Sequence, residues 1–165
     1  MPPEPIFVFL DFDGVTHPWG EVEDFRCMPQ IERVLRRNEE TRVVITSDWR
    51  TLFSEHKLAA RFAEDLRSRV VGVTPHLVPR KGGDLHGLRE REARQWLAQT
   101  GHEGAPWLAV DDAPGNWLTR SRLVLTDFKR GFTEEDAVAM NRLIERLRNA
   151  DEGLEEHPLR NALWA

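Results

Sequence analysis

Apolar residues in this chain follow two rhythms. Five short runs are almost continuous: IFVFL (6–10), RVVIT (42–46), RVVGV (69–73), WLAV (107–110) and RLVLT (122–126). Their Val, Ile and Leu content, without polar alternation, predicts strands covered on both faces, as in a parallel sheet between helices. Between the runs, apolar residues recur three and four apart, which predicts helices. Ile31, Val34 and Leu35 mark one, and Leu52, His56, Ala59, Ala60, Ala63 and Leu66 mark a second. Arg89 to Gln99 gives a third, with Ala93, Trp96 and Leu97 on its buried side. Thr133 followed by Asp136 opens a fourth as an N-cap and near-capping box, continued by Met140, Leu143, Ile144 and Leu147. Strand alternating with helix predicts one doubly wound α/β domain around a five-stranded parallel sheet.

Length and charge narrow this picture. A chain of 165 residues, 40% hydrophobic, buries one sizeable core and is short for two. The domain is expected over residues 1–150. Residues 151–165, DEGLEEHPLRNALWA, read as an acidic C-terminal extension that docks loosely or faces a partner. A net charge of −5 argues against coating nucleic acid or anionic membrane by bulk electrostatics, while leaving room for a local arginine cluster. Lone Cys27 cannot form an internal disulfide, and no leader-like or membrane-length apolar run follows Met1, so a soluble cytoplasmic protein is expected. Cys27 as a reactive thiol is the minor alternative. Six tryptophans without a tyrosine are an odd aromatic set to which no function attaches.

Every apolar run ends in oxygen-bearing residues: Asp11, then Thr46 and Ser47, Thr74, Asp111 and Asp112, Thr126 and Asp127. Parallel strands place their carboxyl ends along one edge, where open α/β sheets bind ligands. Carboxylates gathered there repel, and a proton or a cation relieves them. Few, hard, carboxylate-rich ligands suit Mg²⁺, which also binds substrate phosphate. Each such residue taken singly is commonly a helix cap or strand-end turn; the set of strand ends argues for a site. His56, His76, His86, His102 and His157 lack metal-ligand spacing, so no zinc site is assigned.

At DFDGVTHP, residues 11–18, the chain resembles the first motif of the haloacid dehalogenase (HAD) superfamily. VVITSDWR is similar to its second motif and WLAVDD to its acidic fourth. Order, spacing and the GFT before the last helix resemble small capless members found as phosphatase-like modules in bacterial nucleic-acid repair proteins. The resemblance covers residues 6 to about 145. It implies a Rossmannoid HAD-like fold and covalent phosphoryl transfer. Asp11 would be the nucleophile and Asp13 the general acid and base, with Gly14 allowing the steep turn after them.

Mg²⁺ would be held by Asp11, the Asp13 main-chain carbonyl and Asp112, with Asp111 as support behind it or as the alternative ligand. Thr46 and the Ser47 amide would hold the phosphoryl oxygens, or exchange roles. The third-motif cation, needed to balance phosphoryl charge, would be Arg89 or Lys81. For any of these charged residues alone, the ordinary reading is a solvated surface group.

Neither insertion point of the superfamily leaves room for a cap domain, and an open site favours substrates that supply their own cover: a nucleic-acid end, a protein side chain, or an oligomer neighbour. Thr16, His17 and Trp19 would overhang the nucleophile. Trp19 would stack a base or simply pack the flap; His17 reads as a hydrogen-bonder; Arg50 would reach a substrate phosphate or pair with an acid. Arg26, Arg50, Arg80 and Arg89 clustered beside Asp11 would point to a polyanion, and scatter to a small metabolite. The expected function is a Mg²⁺-dependent phosphomonoesterase acting on nucleotide or nucleic-acid end phosphates, without a membrane role. The competitors are a non-catalytic module docking a protein partner through its tail, and phosphotransfer to an acceptor other than water.

Overall fold

Ile6, Val8 and Leu10 join one hydrophobic core while Phe7 and Phe9, alternating with them, join another. A strand buried on both faces belongs in the middle of a sheet, and the first strand, β1 (Ile6–Leu10), is there. The computed structural model describes residues 3–79 and 82–149. The other strands are β2 (Thr41–Ile45), β3 (Val70–Val73), β4 (Trp107–Asp111) and β5 (Leu123–Leu125). All pairings are parallel and the order is β3-β2-β1-β4-β5, with Val8 opposite Val43 on one side and Leu108 on the other. The outer strands are less covered than their sequences suggest, leaving Val71 and Leu125 exposed at the edges.

Helices α1 (Met28–Arg37) and α4 (Glu134–Arg148) cover one face, burying Ile31, Leu35, Met140 and Ile144 against Val8, Leu10, Val43 and Val110. The expected Thr133 cap is a full capping box: its hydroxyl accepts from the Asp136 amide while Asp136 accepts from the Thr133 amide at 2.8 Å. On the other face the third long helix, Leu88–Gln99, sets Ala93, Trp96 and Leu97 against Phe7, Phe9, Trp107 and Trp117. Three of the six tryptophans, Trp96, Trp107 and Trp117, lie in this face, and Trp96 and Trp107 meet the β1 phenylalanines edge to face.

The second expected helix is a correction. Residues 52–66 hold only a five-residue helix, Glu55–Ala59, between 3₁₀ turns at Asp48–Thr51 and Glu64–Arg69. The amide of Ala63 leaves the helical ladder to donate to the Glu32 carboxylate of α1 at 2.6 Å, and Arg67 bonds the Phe62 carbonyl at 3.1 Å. Leu58, Phe62 and Leu66 anchor the segment, while Leu52 is exposed.

Continuing in chain order, Glu55–Ala59 is α2 and Leu88–Gln99 is α3. Between β1 and β2 there is only the flap and α1, and between β2 and α3 only short elements, so no cap domain is built from the described residues. No helix among the described residues is long and apolar enough to cross a membrane. The extension at 151–165 lies outside the described residues.

The ladder runs past the strand ends. Amides of Asp11, Thr46, Thr74 and Thr126 donate to Val110, Leu10, Ile45 and Asp111 carbonyls at 3.0–3.1 Å, which lines these residues up along one edge. From β1 the chain moves outward to β2 and β3, then crosses back to β4 on the other side of β1. The crevice at this reversal of order, between the ends of β1 and β4, is where doubly wound sheets bind ligands.

Candidate active site

Asp11 follows β1 and Asp111 ends β4, so their paired strands bring the two carboxyl groups together; Asp112 joins them. Ligand oxygens of Asp11, Asp111 and Asp112 lie within 4.8 Å of one another. Arg89, in the first turn of α3, reaches in from above: its Nη1 is 2.8 Å from Asp11 Oδ1 and 3.5 Å from Asp111 Oδ2, and its Nη2 is 3.4 Å from Asp48 Oδ1. Burial pushes the Asp11 carboxyl well above the usual carboxylate range, with Arg89 opposing and Asp111 and Asp112 adding to the push. Burial also works against the Arg89 charge, but Asp11 and Asp111 outweigh it and raise its pKa. With all three acids ionised, one guanidinium would leave two negative charges unbalanced, a gap that a divalent cation matches and that protons otherwise fill.

The paired acids differ in what they touch. Asp111 is fully engaged: Oδ1 accepts from the Ala113 amide and Oδ2 from the Trp117 indole, both at 2.9 Å. Asp112 instead shares hydrogen bonds with Asp111 and Asp11, and burial together with Asp111 pushes its pKa up to about 6. It lies over Gly14, where a Cβ would come 2.2 Å from Asp112 Oδ2. Gly14 also adopts φ +77°, a left-handed conformation that favours glycine, and its carbonyl accepts from the Thr126 hydroxyl at 2.7 Å.

Asp13 is held by a different set. The flap turns back at once, with the Gly14 amide donating to the His17 carbonyl at 2.9 Å. His17 Nε2 lies 2.8 Å from Asp13 Oδ1, and the Trp49 indole donates to Asp13 Oδ2 at 3.0 Å. Thr16 is buried behind the flap, donating to the Phe12 carbonyl at 3.0 Å, and Trp19 projects outward with 62% of its surface exposed.

Thr46 is fully buried, and its hydroxyl has no hydrogen-bond partner among the described residues. A buried hydroxyl without a partner at a ligand edge suits an incoming oxygen. The Ser47 hydroxyl instead accepts from the Trp49 amide at 3.3 Å and caps the 3₁₀ turn. Arg50 is not available to a ligand. Its guanidinium is buried against Glu92 of α3 and also donates to the Ser47 carbonyl at 3.0 Å, while its Nε donates to the Thr74 carbonyl at 3.1 Å. Burial pushes the Arg50 pKa down and that of Glu92 up. Of the two expectations for Arg50, the acid partner is what the fold provides.

Lys81, the alternative third-motif cation, and Arg80 lie outside the described residues. Arg26 pairs with exposed Asp24 and Glu21 rather than with the acidic cluster. Cys27 is buried, and burial pushes its thiol up, away from thiolate reactivity.

A family model described as the HAD domain in Swiss Army Knife RNA repair proteins matches residues 7–137. The chain belongs to this HAD family. No curated protein and no solved structure matches it. Within this HAD domain, Asp11, Asp13, Thr46, Asp111 and Asp112 lie along one edge of the sheet, and the Arg89 guanidinium pairs with Asp11 and Asp111 there. The motifs belong to a phosphatase-type enzyme superfamily. Three contributors escaped the sequence reading: Trp49, Trp117 and Asp48, whose side chains touch Asp13, Asp111 and Arg89. Trp49 lies three residues after Thr46 and Trp117 six after Asp111. The unusual tryptophan content was the available clue.

Proposed function

We propose that this HAD domain is a Mg²⁺-dependent phosphomonoester hydrolase that works through an aspartyl-phosphate on Asp11 and removes end phosphates from RNA or nucleotides. The observation that carries the reading is the convergence of Asp11, Asp112, Arg89 and the unpartnered Thr46 hydroxyl at one sheet edge. A set of hard carboxylate oxygens fits Mg²⁺, which Asp11, the Asp13 main-chain carbonyl and Asp112 would hold, with Asp111 kept in place by the Ala113 amide and the Trp117 indole. When bound, the ion neutralises charge on the phosphoryl oxygens.

In the first step an Asp11 oxygen forms a bond to phosphorus while the bond to the leaving oxygen breaks, and that oxygen takes the proton of Asp13. In the second, water gives a proton to Asp13 and attacks the phosphorus, releasing Asp11 as a carboxylate and phosphate as product. Arg89, the Thr46 hydroxyl and the Ser47 amide hold the phosphoryl oxygens in both steps.

The family's RNA repair setting and the uncapped edge support an end phosphate as substrate. Trp19, 62% exposed, meets Phe128, 43% exposed, edge to face at 6.5 Å, and Lys129 stands 5.7 Å over that ring. Such an aromatic step with a cation suits stacking of a terminal base. Arg26 pairs with Asp24 and Glu21, and Arg50 is buried against Glu92, so these arginines offer no shared exposed patch beside Asp11; by the expectation above this weighs toward a nucleotide or small phosphoester and against a long polyanion.

The test is phosphate release from 3′- and 5′-phosphorylated oligoribonucleotides and from small phosphoesters, in Mg²⁺ and in EDTA. Turnover that needs Mg²⁺ and disappears in Asp11→Asn is the expected result. Inactivity across the whole panel would refute the hydrolase reading.

A further inference from the structure

A general acid is useful only if its proton arrives where the leaving oxygen is, and Asp13 is anchored by two residues from different parts of the chain. Oδ1 meets His17 Nε2 at 2.8 Å; Oδ2 accepts the Trp49 indole N–H at 3.0 Å. Trp49 belongs to the turn after β2, so the second motif holds the acid of the first across 36 residues of sequence.

Trp49 is itself immobilised. Its ring packs edge-to-face on Phe12 at 5.8 Å and on Phe25 at 5.4 Å, lies against Phe53 at 5.4 Å, and is covered by the Arg61 guanidinium 5.6 Å from its centre. His17 is fully buried, packs on Phe25 at 5.0 Å, and bonds the Thr16 hydroxyl through Nδ1 at 3.1 Å. Thr16 in turn is tied to the Phe12 carbonyl. An indole has one polar hydrogen and no acceptor, so Trp49 makes one kind of contact only: it donates to the oxygen in front of it. Packing that fixes the Trp49 indole and the His17 ring thereby fixes the carboxyl plane of Asp13.

We propose that Trp49, with His17 beside it, is a positioning residue that holds the Asp13 carboxyl in the orientation needed to protonate the leaving group. The idea rests on the hydrolase reading above and adds to it which residues govern leaving-group protonation. In the step concerned, the bond from Asp11 to phosphorus forms, the bond to the leaving oxygen breaks, and its electron pair is captured by the Asp13 proton. An alkoxide leaves badly without that proton; a dinitrophenolate leaves readily as the anion.

The experiment compares kcat/KM for an alkyl phosphate with kcat/KM for 2,4-dinitrophenyl phosphate in Mg²⁺, for the wild type, Trp49→Phe, His17→Gln, His17→Ala and Asp13→Asn. Since kcat/KM includes only the steps through aspartyl-phosphate formation, the later role of Asp13 as base does not enter. Acid catalysis is worth about 10²–10⁴-fold, so losing part of it raises the dinitrophenyl-to-alkyl ratio by about tenfold or more in Trp49→Phe, in the direction of Asp13→Asn. His17→Ala shifts the ratio the same way, and His17→Gln, whose amide keeps a hydrogen-bonding partner for Asp13, restores part of it.

A purely structural role lowers both substrates together and leaves the ratio unchanged in Trp49→Phe and His17→Ala alike; that result overturns the proposal. If Trp49→Phe does not fold, the His17 pair decides. Wild-type inactivity on the dinitrophenyl ester removes the hydrolase reading and this inference with it, whereas an active wild type with unchanged ratios removes the inference alone.

Discussion

Replacing Gly14 with alanine joins two perturbations that the structure allows to be separated. The first is conformational: Gly14 has φ +77°, where a side chain costs roughly 1–2 kcal/mol. The second is a collision, because the new Cβ would come 2.2 Å from Oδ2, 2.6 Å from Cγ and 3.0 Å from Cβ of Asp112. Asp112 must then turn away, and with it goes an oxygen of the acidic cluster. Gly101 provides the control, since it has the same φ of +77° and a Cβ added there would meet nothing within 4 Å. Gly101→Ala therefore carries the strain without the displacement. Both variants lose about 1–2 kcal/mol, a fall in melting temperature of about 2–8 °C for a chain of this size. Only Gly14→Ala also loses Mg²⁺ affinity in calorimetry and kcat/KM by on the order of 10²-fold, the scale set by a 1 Å misplacement in a site. Equal metal binding and turnover in the two variants would show that Asp112 does not depend on the open space over Gly14.

Asp112, raised to about 6 from its ordinary 3.8, gives a pH dependence with a definite sign. The metal-free fold holds a proton that the unfolded chain has released, so it loses stability as pH rises from about 4 to about 6, by at most about 3 kcal/mol. The raised Asp11 acts in the same direction. Melting curves in EDTA should show this loss, and Mg²⁺ should offset it increasingly above about pH 6; a flat EDTA profile would contradict the crowding of the carboxylates. Arg89→Gln is expected to reduce kcat by on the order of 10²–10³-fold, measured on any good substrate, because it removes a cation from the phosphoryl oxygens. Glu92→Leu leaves the Arg50 charge buried without its buried partner and should cost about 3–5 kcal/mol in denaturant unfolding.

The strands were legible because burial on both faces requires unbroken apolar runs, and β1 through β5 each fall within two residues of those runs. The acidic edge was legible for the same reason: parallel strands put every residue that follows a run on one side. What escaped depended on contacts distant in sequence. The break in the second helix comes from Glu32 capturing the Ala63 amide, 31 residues away. The different tasks of Asp111 and Asp112 follow from the Trp117 indole and the Ala113 amide, which no spacing of acids reveals. Arg50 resembles a ligand-seeking cation in sequence, and only its burial against Glu92 shows otherwise.

That buried pair has a mechanical consequence. Arg50 ties the loop carrying Thr46 and Ser47 to Glu92, on the same helix as Arg89. One strut thus joins the hydroxyl side of the crevice to its guanidinium side, and neither can shift without dragging the other. On the hydrolase reading proposed above, this makes the crevice a stiff receptacle whose shape precedes its guest, and choice among guests falls to the flap and the open rim around it.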